Sequence, residues 1–342
     1  MLYVCKFGGS SVSTLQGLIN LKEIVLTKSD RKVVVVSAIG SRFSGDIKVT
    51  DLLFRLSENL NDSVLKEEIE SRFNYIAKIL GVDVDIKEQL NFKSADEAII
   101  VSRGEYLTAK IVAKYIGYAF KDASEILFFK NGKLLVNKSR RALEKIDLNG
   151  GVVVPGFYVN ENGRLSLLER GGSDLSGAYL SKLLKADVYE NYTDVCGLKC
   201  VDPSVVSNAL TVEKLSYKDF KRLGVIEPKI LQKSAYKPVI GTKTTTKIIN
   251  TYNFCGGFTQ ISNAYFTRRP KIFGIGCQKN SDGIAIVGRK LKDAKIKSAV
   301  KDAFFGFNYS VTKNDGYLMI IHTNLSGPLA VKLLYSKLKS FV

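Results

Sequence analysis

A nearly unbroken apolar segment, Lys32–Ile39, most limits what this chain can fold into. Its centre is a run of four valines, Val33–Val36. A strand of a parallel sheet reads as a continuous apolar run because helices cover both of its faces, whereas a strand with one solvated face alternates apolar and polar residues. Similar segments over residues 2–7, 152–159 and 188–195 alternate with helical patterns. The chain therefore predicts an α/β fold with a mainly parallel, helix-covered sheet.

The pattern changes after about residue 265, near Arg268-Arg269-Pro270. Before that point, helices are predicted over about residues 14–28, 49–60, 63–80, 94–117 and 173–185. Beyond it the sequence predicts a strand–helix–strand–strand–helix run over Gly283–Val287, Lys292–Phe305, Asn308–Lys313, Tyr317–Thr323 and Pro328–Ser340. We therefore expect a large domain over residues 1–265 and a small α+β module over residues 271–342.

The cationic surplus is the most unusual bulk property. The chain has 51 Lys and Arg against 33 Asp and Glu, a net charge of +18. Such a charge suits nucleic acid, a polyanion such as ATP, or simply a lysine-rich surface. The lysines are spread along the chain, and no helix-turn-helix, zinc-finger or RNA-binding aromatic motif is present. We therefore do not expect a nucleic-acid partner.

The cysteines and the apolar runs bear on the cellular location of the protein. An odd number of scattered cysteines argues against a disulfide scaffold and favours a reducing, cytoplasmic setting. Cys196 and Cys200 have no second cysteine pair and only His322 as a histidine, so buried thiols are favoured over a metal site. No apolar run reaches the roughly 18 residues of a membrane helix, and the N-terminus lacks the basic region of a signal peptide.

The segment Lys6–Ser11 links the first predicted strand to a helix. Gly8 and Gly9 let the backbone approach a ligand closely, and amides at a helix start attract anions. A lysine at the carboxyl end of a strand points into the crevice where open α/β sheets bind ligands. The spacing is not that of a Walker A motif, so these residues alone leave both a phosphate cradle and an ordinary tight turn open.

A second glycine loop, Glu169–Asp174, also precedes a predicted helix, with Ser173 or Asp174 as its N-cap. Arg170 has the planar fork that grips a carboxylate or a phosphate, and Asp174 can hold a lysine ammonium group. An ordinary capped loop would look the same. Since a parallel sheet can bring both glycine loops to one crevice, the pair favours a binding site.

Two further segments carry residues suited to a ligand. Tyr192–Gly197 runs from a strand into a glycine turn and is followed by Asp202-Pro203, which fits either a nucleotide edge or a polar turn. Gly104 interrupts a helical pattern at a cost of about 1 kcal/mol relative to alanine, which indicates that another group approaches closely there. Glu105 beside it is either an ammonium receptor or a solvated helix carboxylate.

Together these segments resemble the aspartate kinases of the amino-acid-kinase superfamily. The matching segments are Lys6–Val12, Val49–Leu53, Ser102–Glu105, Arg170–Asp174, Thr193–Val195 with Gly197, and Asp202-Pro203. They stand in the family's order and cover about residues 2–210. The resemblance implies a three-layer αβα fold with a mainly parallel central sheet and an ACT-like C-terminal module. It also implies ATP, Mg²⁺ carried with ATP, and L-aspartate as the acceptor.

The same resemblance implies a role for each matched residue. Lys6 would stabilise charge on the transferred phosphoryl group, and Asp174 would orient that lysine. Arg170 would bind the substrate α-carboxylate and Glu105 its α-ammonium group. The rest of the aspartate pocket would be lined by Thr50, Ser37 and Ser173. The nucleotide would lie against Gly8, Gly9, Ser10, Gly171, Gly172, Thr193, Asp194 and Asp202, with no metal site in the protein itself.

The sequence departs from the family on the nucleotide side and in its tail. Ser204 replaces the usual arginine after Asp-Pro, and a later element is reduced to Leu223–Lys229, where Lys229 or Lys233 could supply a cation. Residues 283–338 resemble only the second of the family's two ACT modules. Because the family's inhibitor site is built largely from the first module, we expect lysine and threonine to inhibit this protein poorly.

The residues leave three other functions open. One is a kinase acting on glutamate or acetylglutamate, and another is a non-catalytic, regulatory or binding paralogue suggested by the reduced element at Leu223–Lys229. Nucleic-acid binding rests on net charge alone. Glu105 with Arg170 favours a free α-amino acid, and the N-terminal signature favours aspartate. We therefore expect an aspartate kinase that makes 4-phospho-L-aspartate, as a cytoplasmic homodimer without nucleic-acid or membrane partners.

Overall fold

The computed structural model describes residues 1–169, 171–226, 233–263, 270–279 and 281–342. Within these ranges the strands are β1 (Tyr3–Phe7), β2 (Arg31–Val36), β3 (Ala119–Phe120), β4 (Phe128–Lys130), β5 (Lys133–Leu134), β6 (Val152–Pro155), β7 (Tyr158–Glu161), β8 (Arg164–Leu167), β9 (Val188–Thr193), β10 (Lys214–Ser216), β11 (Thr245–Asn250), β12 (Thr259–Ser262), β13 (Ile272–Cys277), β14 (Ile284–Gly288), β15 (Tyr309–Asn314) and β16 (Leu318–Thr323). The helices are α1 (Gly9–Val12), α2 (Leu15–Thr27), α3 (Val49–Glu58), α4 (Ser63–Leu80), α5 (Ile86–Gln89), α6 (Glu97–Ile116), α7 (Val136–Leu143), α8 (Gly172–Leu183), α9 (Tyr217–Arg222), α10 (Ala294–Ala303) and α11 (Gly327–Leu338). None of these helices is both long and apolar enough to cross a membrane.

The chain forms two compact units. The first comprises Met1–Val195 and Ser234–Phe254, and the second comprises Cys196–Lys233 and Cys255–Val342. The domain limits expected from the sequence, residues 1–265 and 271–342, stay a prediction. The Arg268-Arg269 pair that suggested them lies outside the described residues.

Six strands of the first unit form a parallel sheet in the order β11-β9-β1-β2-β6-β3. Nearly every residue of β1, β2, β6 and β9 is buried. Because successive residues of a strand point to opposite faces, both faces of this sheet are covered. Helix α6 packs on β2 and β6, and α8 packs on β1 and β9. The predicted α/β fold with a mainly parallel central sheet is confirmed.

The strand predicted over residues 152–159 is two strands in different sheets. The first part, β6, belongs to the main sheet, whereas β7 belongs to a small sheet of order β5-β4-β7-β8. The chain turns at Gly156 and at Phe157, whose φ is +75°. A Cβ on Gly156 would lie 2.7 Å from the Cβ of Ser173, so only glycine fits this turn. The sequence reading was wrong here because both halves are apolar.

The second unit contains a four-stranded antiparallel sheet in the order β13-β14-β16-β15. Helices α10 and α11 pack together, and α11 packs on β13 and β14. The predicted strand–helix–strand–strand–helix run is confirmed, with bounds shifted by a few residues. The sequence reading missed β13, in which Gly274 and Gly276 interrupt the apolar pattern. Strands β10 and β12, also of this unit, pair with each other in parallel.

Candidate active site

A cavity of about 980 Å³ lies in the first unit, where β1, β2 and β9 end and α8 begins. Its walls include the predicted site residues Lys6, Gly8, Gly9, Ser10, Ser37, Thr50, Glu105, Gly171, Gly172, Ser173, Asp174, Thr193 and Asp194. Arg170 lies outside the described residues. Asp202 belongs to the second unit, where its carboxylate accepts hydrogen bonds from the backbone N–H and the hydroxyl of Ser204. The structure thus gathers most of the predicted residues, whose roles stay predictions.

The loop after β1 packs directly on the loop after β2. The backbone N–H of Gly40 donates to the carbonyl oxygen of Gly9 over 3.2 Å. A Cβ on Gly40 would lie 2.8 Å from the Gly9 carbonyl carbon, and a Cβ on Gly9 would lie 3.1 Å from the Ala38 carbonyl oxygen. The two glycines therefore let the loops form one wall made of backbone. Such a wall suits an anionic ligand, since its polar groups are amides.

Lys6 and Asp174 form an ion pair at the cavity wall. The Lys6 Nζ lies 2.5 Å from Asp174 Oδ1, and the two side chains are 9% and 16% exposed. Asp174 lies in the first turn of α8, whose N-cap is Gly171 with a φ of +81° and no capping side chain. The N-cap predicted at Ser173 or Asp174 is therefore wrong. The Asp174 carboxylate is turned to the lysine instead of to the helix amides.

Glu105, on α6, is a second acidic group buried at the cavity. It is 4% exposed, and its Oε2 has no hydrogen-bond partner among the described residues. Burial raises the pKa of this carboxyl to about 8, against the opposing effects of the Ala38 and Glu105 backbone amides and the Lys6 charge. The reading of Glu105 as a solvated carboxylate is thus wrong. A cation beside Oε2 would favour its ionised form.

The close approach of another group that was predicted at Gly104 is confirmed. The approaching groups are side chains of the protein itself. A Cβ there would lie 2.8 Å from the Cβ of Ala38 and 3.1 Å from Leu53 Cδ1. Glycine at this position lets α6 lie against α3 and against the loop that follows β2. That packing carries Glu105, the next residue, to the edge of the cavity.

Comparison with known families decides where this fold belongs. The model described as "Amino acid kinase family" matches residues 1–250. The chain belongs to this family. The chain is similar to Aspartokinase 3 of Bacillus subtilis, with 30% identity over 277 residues, which are 73% of this chain and 61% of the relative. It is 26% identical to the aspartokinase of Chlamydia trachomatis over 73% of this chain and 62% of that one. The chain thus spans about three fifths of these relatives' length.

Solved structures agree with the family assignment. The aspartate kinase of Clostridium acetobutylicum superimposes with a TM-score of 0.85 at 25% identity and covers 99% of both chains. E. coli aspartokinase III in complex with aspartate and ADP shares the fold, with a TM-score of 0.76 at 18% identity over 99% of this chain and 100% of that one. The predicted amino-acid-kinase fold is therefore confirmed.

Asn191 is a residue at this site that was not predicted from the sequence. It lies in β9, is 2% exposed, and is the register partner of Lys6 in β1. Its Nδ2 donates to Asp174 Oδ1 over 3.2 Å. The sequence did contain a signal for this residue: an asparagine in a strand that is predicted to be buried needs a hydrogen-bond partner.

A charged cluster fixes the loop over residues 40–48, through which Ser41 and Lys48 reach the cavity wall. Arg72, on α4, donates to Asp46 Oδ1 over 3.0 Å and to the Ile47 carbonyl over 2.6 Å. Hydrogen bonds from Arg42, together with the Arg72 charge, hold the pKa of Asp46 far below its ordinary value. The sequence pattern does not indicate this cluster, since Arg72 lies on a different helix, far from the loop along the chain.

A polar cluster holds the first glycine loop from behind. The Tyr252 hydroxyl donates to the Ser10 carbonyl over 2.7 Å and lies 3.1 Å from the Thr14 hydroxyl. The hydroxyls of Ser11 and Thr251 share a hydrogen bond of 2.6 Å. Thr251 and Tyr252 directly follow β11, so the ends of β1 and β11 are tied together. The backbone wall of the cavity is therefore held in place by the sheet.

Proposed function

We propose that this protein is an aspartate kinase, which transfers the γ-phosphoryl group of ATP to the side-chain carboxylate of L-aspartate to give 4-phospho-L-aspartate. The observation that carries the proposal is one cavity that holds both the Lys6–Asp174 pair and the buried, unpaired Oε2 of Glu105. The names of the similar proteins support it. Such an enzyme would serve lysine, threonine and methionine biosynthesis in the cytoplasm.

Glu105 suits the α-ammonium group of an amino acid. A carboxyl with a pKa of about 8 is mostly protonated at pH 7, and an incoming ammonium group would stabilise the carboxylate and release that proton. The same burial that raises this pKa strengthens the resulting ion pair. Arg170 would take the α-carboxylate, and Thr50, Ser37 and Ser173 would surround the rest of the substrate. Together these groups select a free α-amino acid.

The chemical step needs charge neutralisation more than a base. The aspartate side chain is already ionised at neutral pH, so its oxygen can attack the γ-phosphorus directly. One P–O bond forms to the carboxylate, the bond to the β,γ-bridging oxygen breaks, and ADP leaves with its Mg²⁺. Lys6, held by Asp174, would offset charge on the phosphoryl oxygens. The amides of Gly8, Gly9 and Ser10 would cradle the phosphates, with Gly171, Gly172, Thr193 and Asp194 on the nucleotide side.

A trapping assay tests the proposal. Wild-type protein incubated with MgATP, aspartate and hydroxylamine should form aspartyl hydroxamate, since hydroxylamine captures an acyl phosphate. Lys6→Ala should lower kcat by about a hundredfold to a thousandfold, as loss of one preorganised donor in a catalytic site does. Arg170→Ala should mainly raise the KM for aspartate. The matched control is Lys32→Ala, which removes a lysine of β2 whose Nζ donates to the Asn149 carbonyl outside the cavity.

Other outcomes would replace the proposal. Hydroxamate formed from glutamate, or acyl phosphate formed from acetylglutamate, without turnover of aspartate would assign a different acceptor. ATP binding without any turnover would indicate a non-catalytic paralogue. The intact Lys6–Asp174 pair argues against that alternative. The reduced element that suggested it, up to Lys229, continues into residues 227–232, which lie outside the described part of the chain.

The second unit supports a homodimer proposal. Strand β15 is an edge of the four-stranded sheet, and residues 310–313 at its centre are exposed. An exposed edge strand offers unpaired backbone groups that a second copy can pair with. The molar mass measured by light scattering should be twice that of the chain. A monomeric mass at micromolar concentration would refute the dimer.

Weak feedback inhibition stays a prediction of the sequence. Lysine or threonine at millimolar concentration should leave aspartate turnover within twofold of the uninhibited rate. Strong inhibition by either amino acid would show that a complete regulatory region is present.

A further inference from the structure

The face of the sheet beneath the cavity carries one buried amide, Asn191. Asn191 and Lys6 are register partners in the parallel strands β9 and β1, so their side chains project to the same face. Helix α8 packs on both strands and places Asp174 over them. The amide, the ammonium and the carboxylate therefore meet in one small group.

The contacts in this group centre on one oxygen. Asn191 Nδ2 donates to Asp174 Oδ1 over 3.2 Å, and the same oxygen lies 2.5 Å from Lys6 Nζ. Asn191 Nδ2 also donates to the Tyr236 hydroxyl over 2.6 Å, and the Tyr189 hydroxyl donates to the Asp174 backbone carbonyl over 2.9 Å. Strand β9 thus holds both the side chain and the backbone of Asp174.

We propose that Asn191 is a positioning residue for phosphoryl transfer: it fixes the Asp174 carboxylate, which in turn aims the Lys6 ammonium group at the cavity. This inference rests on the proposed kinase function. A carboxylate held by lysine alone can rotate about its terminal torsion, since that torsion has only a broad preference. A second donor on the same oxygen removes that freedom. Catalysis by charge stabilisation depends on groups that are already aimed before the reaction begins.

A purely structural role fits Asn191 less well. Its Oδ1 is buried and has no hydrogen-bond partner among the described residues. An unsatisfied buried acceptor costs stability, and leucine, which has the same branched shape without polar atoms, would avoid that cost in a covered strand. The one clear gain from an amide here is the donor that it offers to Asp174 and Tyr236.

Asn191→Leu tests the role directly. Removal of a hydrogen bond to a charged group should lower kcat about tenfold and leave the KM for aspartate within twofold. The matched control is Tyr192→Phe, which changes the next residue of the same strand. Tyr192 faces the opposite side of the sheet, where its hydroxyl donates to Glu190 over 3.0 Å. This control should lose stability and keep kcat; an equal loss of kcat in both variants would overturn the inference.

Asn191→Asp adds a pH readout that a packing role would not show. The charged and titratable groups facing this position are Lys6, Asp174, Tyr189 and Tyr236. When the introduced carboxyl is protonated it can donate to Asp174 as the amide does, and when ionised it repels Asp174. The kcat of this variant relative to wild type should therefore fall as pH rises from 6 to 9. A pH-independent ratio would contradict the inference.

Chemical labelling of Lys6 separates this inference from the proposed function. Competitive acetylation with trace acetic anhydride, read by peptide mass spectrometry against the exposed Lys93, reports how firmly Lys6 is held. Asn191→Leu and Asp174→Asn should each raise the labelling of Lys6 several-fold. The double variant should match Asp174→Asn alone, because Asn191 acts through Asp174.

The outcomes are distinct. A wild-type protein that forms no hydroxamate, together with this labelling pattern, refutes the aspartate kinase and keeps the positioning role. Wild-type turnover with unchanged kcat and unchanged Lys6 labelling in Asn191→Leu overturns the positioning role and keeps the kinase. If the increases in Lys6 labelling caused by Asn191→Leu and by Asp174→Asn add up in the double variant, the positioning role is overturned as well.

Discussion

Two groups of buried ionisable side chains each include a residue of β1, and they differ in how completely the protein pairs them. One is the cavity group of Lys6, Asp174 and Glu105. The other, here termed the Arg31 cluster, consists of Arg31, Glu190, Cys5, Tyr192 and Lys247. Cys5 and Lys6 are adjacent in β1, so their side chains project from opposite faces of the sheet.

The Arg31 cluster is closed within the protein. Arg31 Nε donates to Glu190 Oε2 over 2.8 Å, and Tyr192 donates to the same oxygen over 3.0 Å. Glu190 is 1% exposed, and Lys247 lies 3.9 Å from its other oxygen. Burial also raises the pKa of the Cys5 thiol, so it stays neutral. No cavity-lining residue belongs to this cluster.

The cavity group is open by contrast. Glu105 Oε2 has no partner among the residues that the structure describes, and Lys6 and Asp174 keep part of their surface toward the cavity. Leaving a buried charge incompletely paired costs stability, which is compensated only when a ligand supplies the missing partner. The difference between the two groups therefore distinguishes buried charges that hold the fold from those that would bind a substrate in the proposed function.

The largest expected effect is a difference in the free energy of unfolding between a variant of the Arg31 cluster and a variant of the cavity group. Arg31→Met should lower the free energy of unfolding by about 3–5 kcal/mol, because Glu190 would stay buried without its main partner. Lys6→Met should lower it less, because Asp174 borders the cavity and can be solvated there once the lysine is removed. Urea unfolding followed by circular dichroism measures both.

The double variant Arg31→Met/Glu190→Gln serves as the control for that experiment. It should regain most of the lost stability, because no uncompensated charge remains. Equal destabilisation by Arg31→Met and Lys6→Met would break the distinction between a closed and an open group.

Glu105→Gln should have a smaller effect that depends on pH. The folded-state pKa of Glu105, about 8, is above its ordinary value of 4.5, so its contribution to stability is full below pH 4.5 and is lost as pH rises to about 8. The glutamine variant lacks this loss. It should therefore gain about 1–3 kcal/mol over wild type between pH 5 and pH 8. Urea midpoints at both pH values check this; a constant difference would contradict it.

Aspartate binding should show the smallest of these effects. If the ammonium group requires ionised Glu105, the Kd for aspartate should rise about tenfold for each pH unit below 8. Calorimetry at pH 6.5 in buffers of different ionisation enthalpy should detect about one proton released per aspartate bound. Glu105→Gln should bind weakly and without this pH dependence. A Kd that is flat between pH 6 and 8 would show that Glu105 is not the receptor.

The strands and the cavity residues could be predicted wherever a pattern of residues close together in the sequence indicates them. Buried parallel strands such as β2 are continuous apolar runs, and Lys6 and Asp174 stand in glycine loops that mark strand ends. The division of residues 152–159 into two strands was not readable, because it depends on Ser173 meeting Gly156 from another element.

Partnerships between distant segments could not be read in the same way. Arg72 reaches the loop at Asp46 from a separate helix, and Asn191 supports Asp174 only because β9 pairs with β1. The pKa of Glu105 likewise depends on burial, which a helical pattern alone does not give. The sequence therefore indicated most of the groups that border the cavity. It did not indicate the distant groups that hold them in position.

The pairing of β1 with β9 has a consequence for synthesis on the ribosome. Cys5 and Glu190 are 185 residues apart in the chain, so β1 lacks one of its two neighbouring strands until β9 has been made. Contacts this distant in sequence form late and slowly. During translation β1 therefore exposes one unpaired edge, which a chaperone would have to shield from aggregation.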